Sequence, residues 1–243
     1  MDTYPAIDHW SADYLVKRIL DGCGISRMNW ADGLPEFLTR FDQYAFRYLD
    51  ARDAHGCPDL PDYERCMGPR FTVRGYGIPI SVFRGEGVIL WALAHRVLRT
   101  EVIVETFTGT GVAACFLAAA RPDIPVYTVD HYGEGNLGDA GWDNMQSLRR
   151  DLGLSNLIAL RGSWDDLTVA LRSQAVGLYF CDGVHQPILP ARCTVIHDET
   201  SMPPRGFRVP GSSLMVVTAI DDATLAEAEV VVDTARTWLH NAT

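Results

Sequence analysis

Val102-Ile103-Val104-Glu105-Thr106-Phe107-Thr108-Gly109-Thr110-Gly111, running on into Val112-Ala113-Ala114-Cys115-Phe116-Leu117-Ala118-Ala119-Ala120, is the stretch whose reading decides the fold. A short β-branched run ends in a carboxylate, passes through a glycine-containing loop and opens into an apolar helix. Strand, glycine turn and helix form the phosphate- or nucleoside-binding entry of a doubly wound α/β sheet. Gly109 and Gly111 lack a Cβ and tolerate positive φ, so a ligand can press against bare backbone there. The start of the following helix adds unpaired N–H groups.

Downstream, strands and helices alternate. Residues 125–130 read as a strand ending in Asp130, 143–152 as a helix closed by Gly153, 157–160 as a strand and 165–172 as a helix. Residues 177–181 then read as a strand ending at Asp182, and 193–196 as a strand ending at His197 and Asp198. This rhythm implies a parallel sheet with helices on both faces, whose ligands sit at the carboxyl ends of the strands. Glu105, Asp130, Asp182 and Asp198 all fall at such ends. Beyond them, Pro203, Pro204 and Pro210 punctuate a loop, 213–220 reads as a strand and 222–240 as a terminal helix. Within that helix the run Val230-Val231-Val232 suits a strand equally well.

Upstream, 86–99 reads as a helix leading into the organising strand, and 75–79 as a flexible connector. Helices are expected over 11–21 and 35–52, with a loop from His55 to Pro61. The division expected is a helical lid or dimerisation segment over residues 1–80 and a nucleoside-binding Rossmann-like domain over 81–243. Simple packing of the first segment against the sheet edge fits the pattern as well.

Composition narrows the function. The 243 residues are 47% hydrophobic, enough for a full core. A net charge of −10 without a lysine- or arginine-rich run argues against nucleic acid and against an anionic membrane surface as partners. No signal-peptide pattern and no bilayer-length apolar run stand out. The six cysteines form no Cys-x-x-Cys pair, so a reduced, cytoplasmic protein is expected, free of zinc or disulfide frameworks.

Asp130, about twenty residues beyond the glycines, suits a carboxylate that accepts hydrogen bonds from two ribose hydroxyls. The glycine pattern by itself does not separate S-adenosylmethionine from a nicotinamide cofactor. The downstream strands do. From about Gly85 to Glu199 the sequence resembles the class I S-adenosylmethionine-dependent methyltransferases. Glu105-Thr106-Phe107-Thr108-Gly109-Thr110-Gly111 is similar to their first motif, with Phe107 in place of its first glycine. The resemblance implies that Glu105, Thr106, Phe107, Gly109 and Gly111 lie at the methionine end, Asp130 and His131 near the ribose, and Ser163 and Trp164 beside the adenine. Asp165 would accept from the adenine amino group, while Trp164 serves equally well as a core residue.

Phe180-Cys181-Asp182-Gly183-Val184-His185 and Val195-Ile196-His197-Asp198-Glu199 resemble the metal-dependent small-molecule O-methyltransferases of the macrolide-sugar and catechol type. That resemblance implies a Mg²⁺ held by Asp182, Asp198 and Glu199, with His185 as general base and His131 as a rival base on the same rim. His197 stands where that group carries an acidic residue, and histidine is a poor magnesium ligand. A hard cation would lower the pKa of an acceptor hydroxyl, and a histidine takes its proton near neutral pH. The expectation is an O-methyltransferase acting on a hydroxylated small molecule of natural-product or sugar type, as a possible homo-oligomer. The alternatives are an NAD(P)-dependent oxidoreductase, for which no Tyr-x-x-x-Lys pair is found, and a non-methylating member of the same fold.

Overall fold

The computed structural model describes residues 30–41, 45–47, 71–73, 82, 84–132, 138–182, 190–197, 206–217 and 222–242. The expected helix over 11–21, the connector over 75–79, and the site residues His185, Asp198 and Glu199 lie outside them.

Nine strands and six helices are described. In chain order they are α1 (Leu34–Phe41), β1 (Ala45–Arg47), β2 (Phe71–Val73), α2 (Arg84–Ala94), β3 (Glu101–Thr106) and α3 (Val112–Ala120). Then follow β4 (Val126–Asp130), α4 (Gly138–Asp151), β5 (Leu157–Arg161), α5 (Trp164–Leu171), β6 (Ala175–Cys181), β7 (Ala191–His197), β8 (Gly206–Arg208), β9 (Leu214–Val217) and α6 (Asp222–Ala242). Seven strands make one sheet in the order β5-β4-β3-β6-β7-β9-β8. β3, β4, β5, β6 and β7 run parallel, and β9 is antiparallel to both β7 and β8. This is a doubly wound, mostly parallel Rossmann-like sheet, as the alternating pattern implies.

The chain moves outward from β3 to β4 and β5, then returns to place β6 on the other side of β3. The crevice between the carboxyl ends of β3 and β6 is therefore the topological switch point, where such sheets bind ligands. Alternation along β3 fixes what faces it. Ile103 joins the core built with α1, α2, α3 and α6, whereas Val102 and Val104 pack on the opposite face with Leu167 and Leu171 of α5. Two-residue periodicity then puts Glu105 on the α3 side and Thr106 on the α5 side.

The expected helix over 35–52 is shorter in the structure. α1 stops at Phe41, and Ala45–Arg47 instead pairs antiparallel with Phe71–Val73. Its apolar spacing is satisfied within two turns. Leu34, Phe37, Leu38 and Phe41 are all buried, and Phe37 lies edge-on to Phe116 of α3 at 5.0 Å between ring centroids. α1 thus packs into the main core, and the described part of the N-terminal segment is not wholly helical. Residues 230–232 are helical within α6, where Val232 is buried against the sheet with Ala228, Ala235 and Leu239. β8 lies in the proline-punctuated stretch read as loop, and the helix expected over 86–99 ends at Ala94.

Candidate functional site

The glycine loop is held in a strained, well-anchored turn. Phe107, at the position of the missing glycine, adopts φ 64, and Gly109 and Gly111 adopt φ 53 and φ 83. A phenylalanine in the left-handed region costs about 1–2 kcal/mol, so the surroundings must over-determine it. Its N–H donates to the Val129 carbonyl at 3.0 Å, which ties the turn to β4. Gly111 caps α3, and a Cβ there would stand 2.5 Å from Cγ of Met145 on α4. Asn144 of α4 donates to the Thr110 carbonyl at 3.0 Å, fixing the loop from the other side. The Thr110 hydroxyl oxygen is buried and has no hydrogen-bond partner among the described residues. An orphaned hydroxyl beside a glycine turn and a helix start fits a polar ligand seated against this backbone.

Asp130 sits at the end of β4, nearly buried, with both oxygens engaged. Oδ2 accepts from the Gly109 N–H at 2.9 Å and Oδ1 from the Tyr132 N–H at 3.0 Å. It ties the loop to the strand end, and each oxygen keeps a further lone pair for a ligand hydroxyl. His131, its neighbour, is exposed on the rim.

Glu105 lies beneath the loop, 1% exposed. Thr128 Oγ1 donates to its Oε2, and Thr108 shares a hydrogen bond with Thr128, so two hydroxyls connect the loop to a buried carboxyl. Burial pushes the Glu105 carboxyl up to about 8, the Thr128 hydrogen bond opposes the rise, and the charges of Asp182 and Asp130 add to it. At neutral pH Glu105 is mainly protonated. On the other face, the Thr106 hydroxyl pairs with the Tyr179 hydroxyl at 3.1 Å.

Ser163 also has a local structural task. It is the N-cap of α5 in a capping box: its Oγ accepts from the Asp166 N–H at 3.4 Å, while its own N–H donates to Asp166 Oδ2 at 2.7 Å. Trp164 packs against the α5-side core, tilted against Tyr179 at 6.1 Å.

The arrangement around Asp182 was not legible in the sequence. Asp182 follows β6, and its N–H donates to the Thr106 carbonyl at 3.3 Å across the switch point. Its Oδ1 is hydrogen-bonded to Nδ1 of His197 at the end of β7. Nε2 of His197 faces Oε2 of Glu86, on α2, at 3.4 Å. Glu86 is fully buried, and its Oε1 accepts from Ser212 Oγ at 2.8 Å, the Ser213 N–H at 3.0 Å and Ser213 Oγ at 2.8 Å. Burial pushes the His197 imidazole down, but Asp182 and Glu86 outweigh it and hold its pKa well above the ordinary value. The histidine therefore lies buried between two carboxyl groups, Asp182 and Glu86.

This bears on the implied Mg²⁺. Asp182 is the one member of the implied ligand set among the described residues, and one of its oxygens, Oδ1, is hydrogen-bonded to the His197 ring. The other implied ligands, Asp198 and Glu199, lie outside the described residues. Among the described residues no cluster of three metal-ligating side chains occurs.

No protein-family model matches the chain, and no curated protein does. Among solved structures, the O-methyltransferase TomG from Streptomyces achromogenes, in complex with SAM, is 18% identical over 62% of this chain and 70% of its own, with a TM-score of 0.40. An rRNA methylase from Streptococcus thermophilus is 17% identical over 53% of this chain and 93% of its own, TM-score 0.35. The Trypanosoma brucei PRMT1 enzyme-prozyme complex with AdoHcy is 20% identical over 40% of this chain, TM-score 0.29, and the match spans only 27% of that chain. At such identities and TM-scores nothing about acceptor or chemistry passes to this protein. No described helix is long and apolar enough to cross a membrane.

Proposed function

We propose that this chain is an S-adenosylmethionine-dependent methyltransferase acting on a hydroxyl of a small molecule. The observation that carries the reading is the switch-point crevice itself. A glycine loop pinned by Asp130 and carrying the orphaned Thr110 hydroxyl opens opposite Asp182 on the neighbouring strand. The motif resemblance running from Glu105 to Asp182 supplies the cofactor class.

In this reading the backbone of Gly109, Thr110 and Gly111 and the start of α3 receive the polar end of the nucleoside, and Asp130 receives its ribose hydroxyls. When bound, S-adenosylmethionine supplies a sulfonium methyl group. The protein's task is then to hold the acceptor oxygen in line behind that methyl carbon and to take its proton, so positioning is a large part of the catalysis. Asp182 lies where an acceptor hydroxyl could donate to its carboxylate, and His185, three residues on, is the proposed general base. No step is routed through magnesium; if it binds, Asp182, Asp198 and Glu199 would hold it. The fit of a small acceptor agrees with the net charge of −10, which disfavours a polyanionic one.

The test is product analysis. The purified protein is incubated with methyl-labelled S-adenosylmethionine and a panel of hydroxylated and amine-bearing small molecules, with mass-spectrometric detection of methyl ethers and N-methyl products. Methyl ethers support the reading. N-methylation alone keeps the cofactor and moves the acceptor class, and the absence of S-adenosylmethionine binding rejects the reading altogether.

A further inference from the structure

Thr106, Thr108 and Thr110 alternate through the glycine loop, and their hydroxyls have different fates. Thr106 pairs with Tyr179 and Thr108 with Thr128, both inside the protein. Thr110 is 1% exposed, and its hydroxyl has no partner among the described residues. A buried hydroxyl left alone costs stability, and a methyl group of the same shape would remove that cost. The peptide that follows it is engaged at both ends. The Thr110 carbonyl accepts from Asn144 Nδ2 at 3.0 Å, and the Gly111 N–H donates to the Thr108 carbonyl at 2.8 Å. The bare side of Gly111 is covered as well, since a Cβ there would stand 2.5 Å from Met145 Cγ. Further on, the Ala114 N–H donates to the Glu105 carboxyl, and the Cys115 N–H opens the helical ladder at the Gly111 carbonyl. Of the three threonines the one left open to a polar group is Thr110, and beside it stand the first N–H groups of α3, which have no intrahelical partner.

We propose that Thr110 is a specificity-determining residue of the crevice, whose hydroxyl, with the opening N–H groups of α3, receives the carboxylate of the cofactor's amino-acid end. The proposal rests on the methyl-transfer reading for the identity of that cofactor. A carboxylate suits each partner. It only accepts, the hydroxyl and the N–H groups donate, and a helix N-terminus favours negative charge. α3 has nine residues, enough to present such an end. Thr110 stands between two glycines in the left-handed region but lies outside it, so a β-branched side chain is unstrained there. Its χ1 has more than one staggered well, so the hydroxyl can turn to a ligand without backbone movement. Threonine and valine have nearly the same shape, and the choice between them here concerns the hydroxyl alone. Stability favours valine; a ligand that gives the hydroxyl its partner accounts for threonine.

Calorimetry on the full chain tests this with two nucleosides that differ only in the carboxylate: S-adenosylhomocysteine and its decarboxylated form, S-adenosyl-3-thiopropylamine. The wild type is expected to bind the first at least about ten-fold more tightly. Thr110→Val should weaken S-adenosylhomocysteine about 10–100-fold and leave the decarboxylated form within about two-fold. Without ligand, the same variant should melt no lower than the wild type. Thr110→Ser, which keeps the hydroxyl, should hold the wild-type preference within about three-fold. A hydroxyl that serves the fold alone gives the opposite signature: a lower melting temperature and parallel changes for both nucleosides. That result overturns the proposal, and so does an unchanged affinity of Thr110→Val for S-adenosylhomocysteine. If Thr110→Val does not fold, Thr110→Ala is read by the same pair of titrations. Equal binding of the two nucleosides by the wild type overturns the proposal whatever the variants do, and leaves the methyltransferase reading standing. Failure of the wild type to bind either nucleoside, by contrast, rejects the reading of the crevice itself.

Discussion

Replacing Glu105 with glutamine should flatten the protein's stability against pH. The carboxyl titrates near its ordinary 4.5 in the unfolded chain and at about 8 in the fold. A raised value means that the folded state holds the proton longer. The associated stability is fully present below the unfolded value and is lost as pH climbs towards the folded one. With those two values the burden on the fold is about 1 kcal/mol at pH 5 and about 3 kcal/mol at pH 7, so this group alone removes roughly 2–3 kcal/mol between them. Glutamine keeps an oxygen to accept from Thr128 and carries no charge at either pH. Urea unfolding of wild type and Glu105→Gln at both pH values isolates the difference from every other titrating group. The wild type should lose roughly 2–3 kcal/mol more than the variant, which corresponds to about 5–10 °C in melting temperature. Parallel losses, within about 0.5 kcal/mol, would refute the idea that an uncharged carboxyl lies under the loop.

Other substitutions probe the same turn. Gly111→Ala combines φ 83 with a Cβ 2.5 Å from Met145 Cγ, so it should cost about 2–4 kcal/mol and weaken S-adenosylhomocysteine binding, read by melting and calorimetry. Asp130→Asn leaves only one side-chain oxygen for the Gly109 and Tyr132 N–H groups. Losing a charge-assisted bond there should cut affinity for S-adenosylhomocysteine about 10–100-fold, and an unchanged Kd would remove Asp130 from the site. Ser163→Ala should lower stability by about 0.5–2 kcal/mol through loss of the α5 cap while leaving the same Kd within about two-fold. A large loss of affinity instead would return Ser163 to the ligand.

The central strand, loop and helix were legible because three local signals agree there. A β-branched run sets period-two alternation, the glycines punctuate it, and an alanine-rich apolar stretch follows; α3 begins at Val112 and ends at Ala120 as read. Local signals fail where pairing is decided at a distance. Ala45–Arg47 carries a helical pattern continued from Phe37 and Phe41, yet it pairs with Phe71–Val73. Gly206–Arg208 is three residues long and sits among prolines, so only its partner β9 defines it as a strand. The site divides in the same way. Glu105, Gly109, Gly111, Asp130 and Asp182 could be named from their positions at strand ends. Glu86 reads in the sequence as an ordinary acid in the first turn of a helix, and nothing local announces that it faces His197. The substitution at position 107 is also explained only in three dimensions: Phe107 takes the left-handed backbone that a glycine would have taken, held by the Val129 carbonyl.

The most direct test of the account is a pair of isothermal titrations of the wild-type chain, one with S-adenosylhomocysteine and one with reduced nicotinamide dinucleotide. Saturable binding of the first, weakened in Asp130→Asn, with no binding of the second, is the predicted result. Binding of the dinucleotide in place of S-adenosylhomocysteine, or of neither, would contradict the assignment of the β3–β6 crevice to methyl transfer.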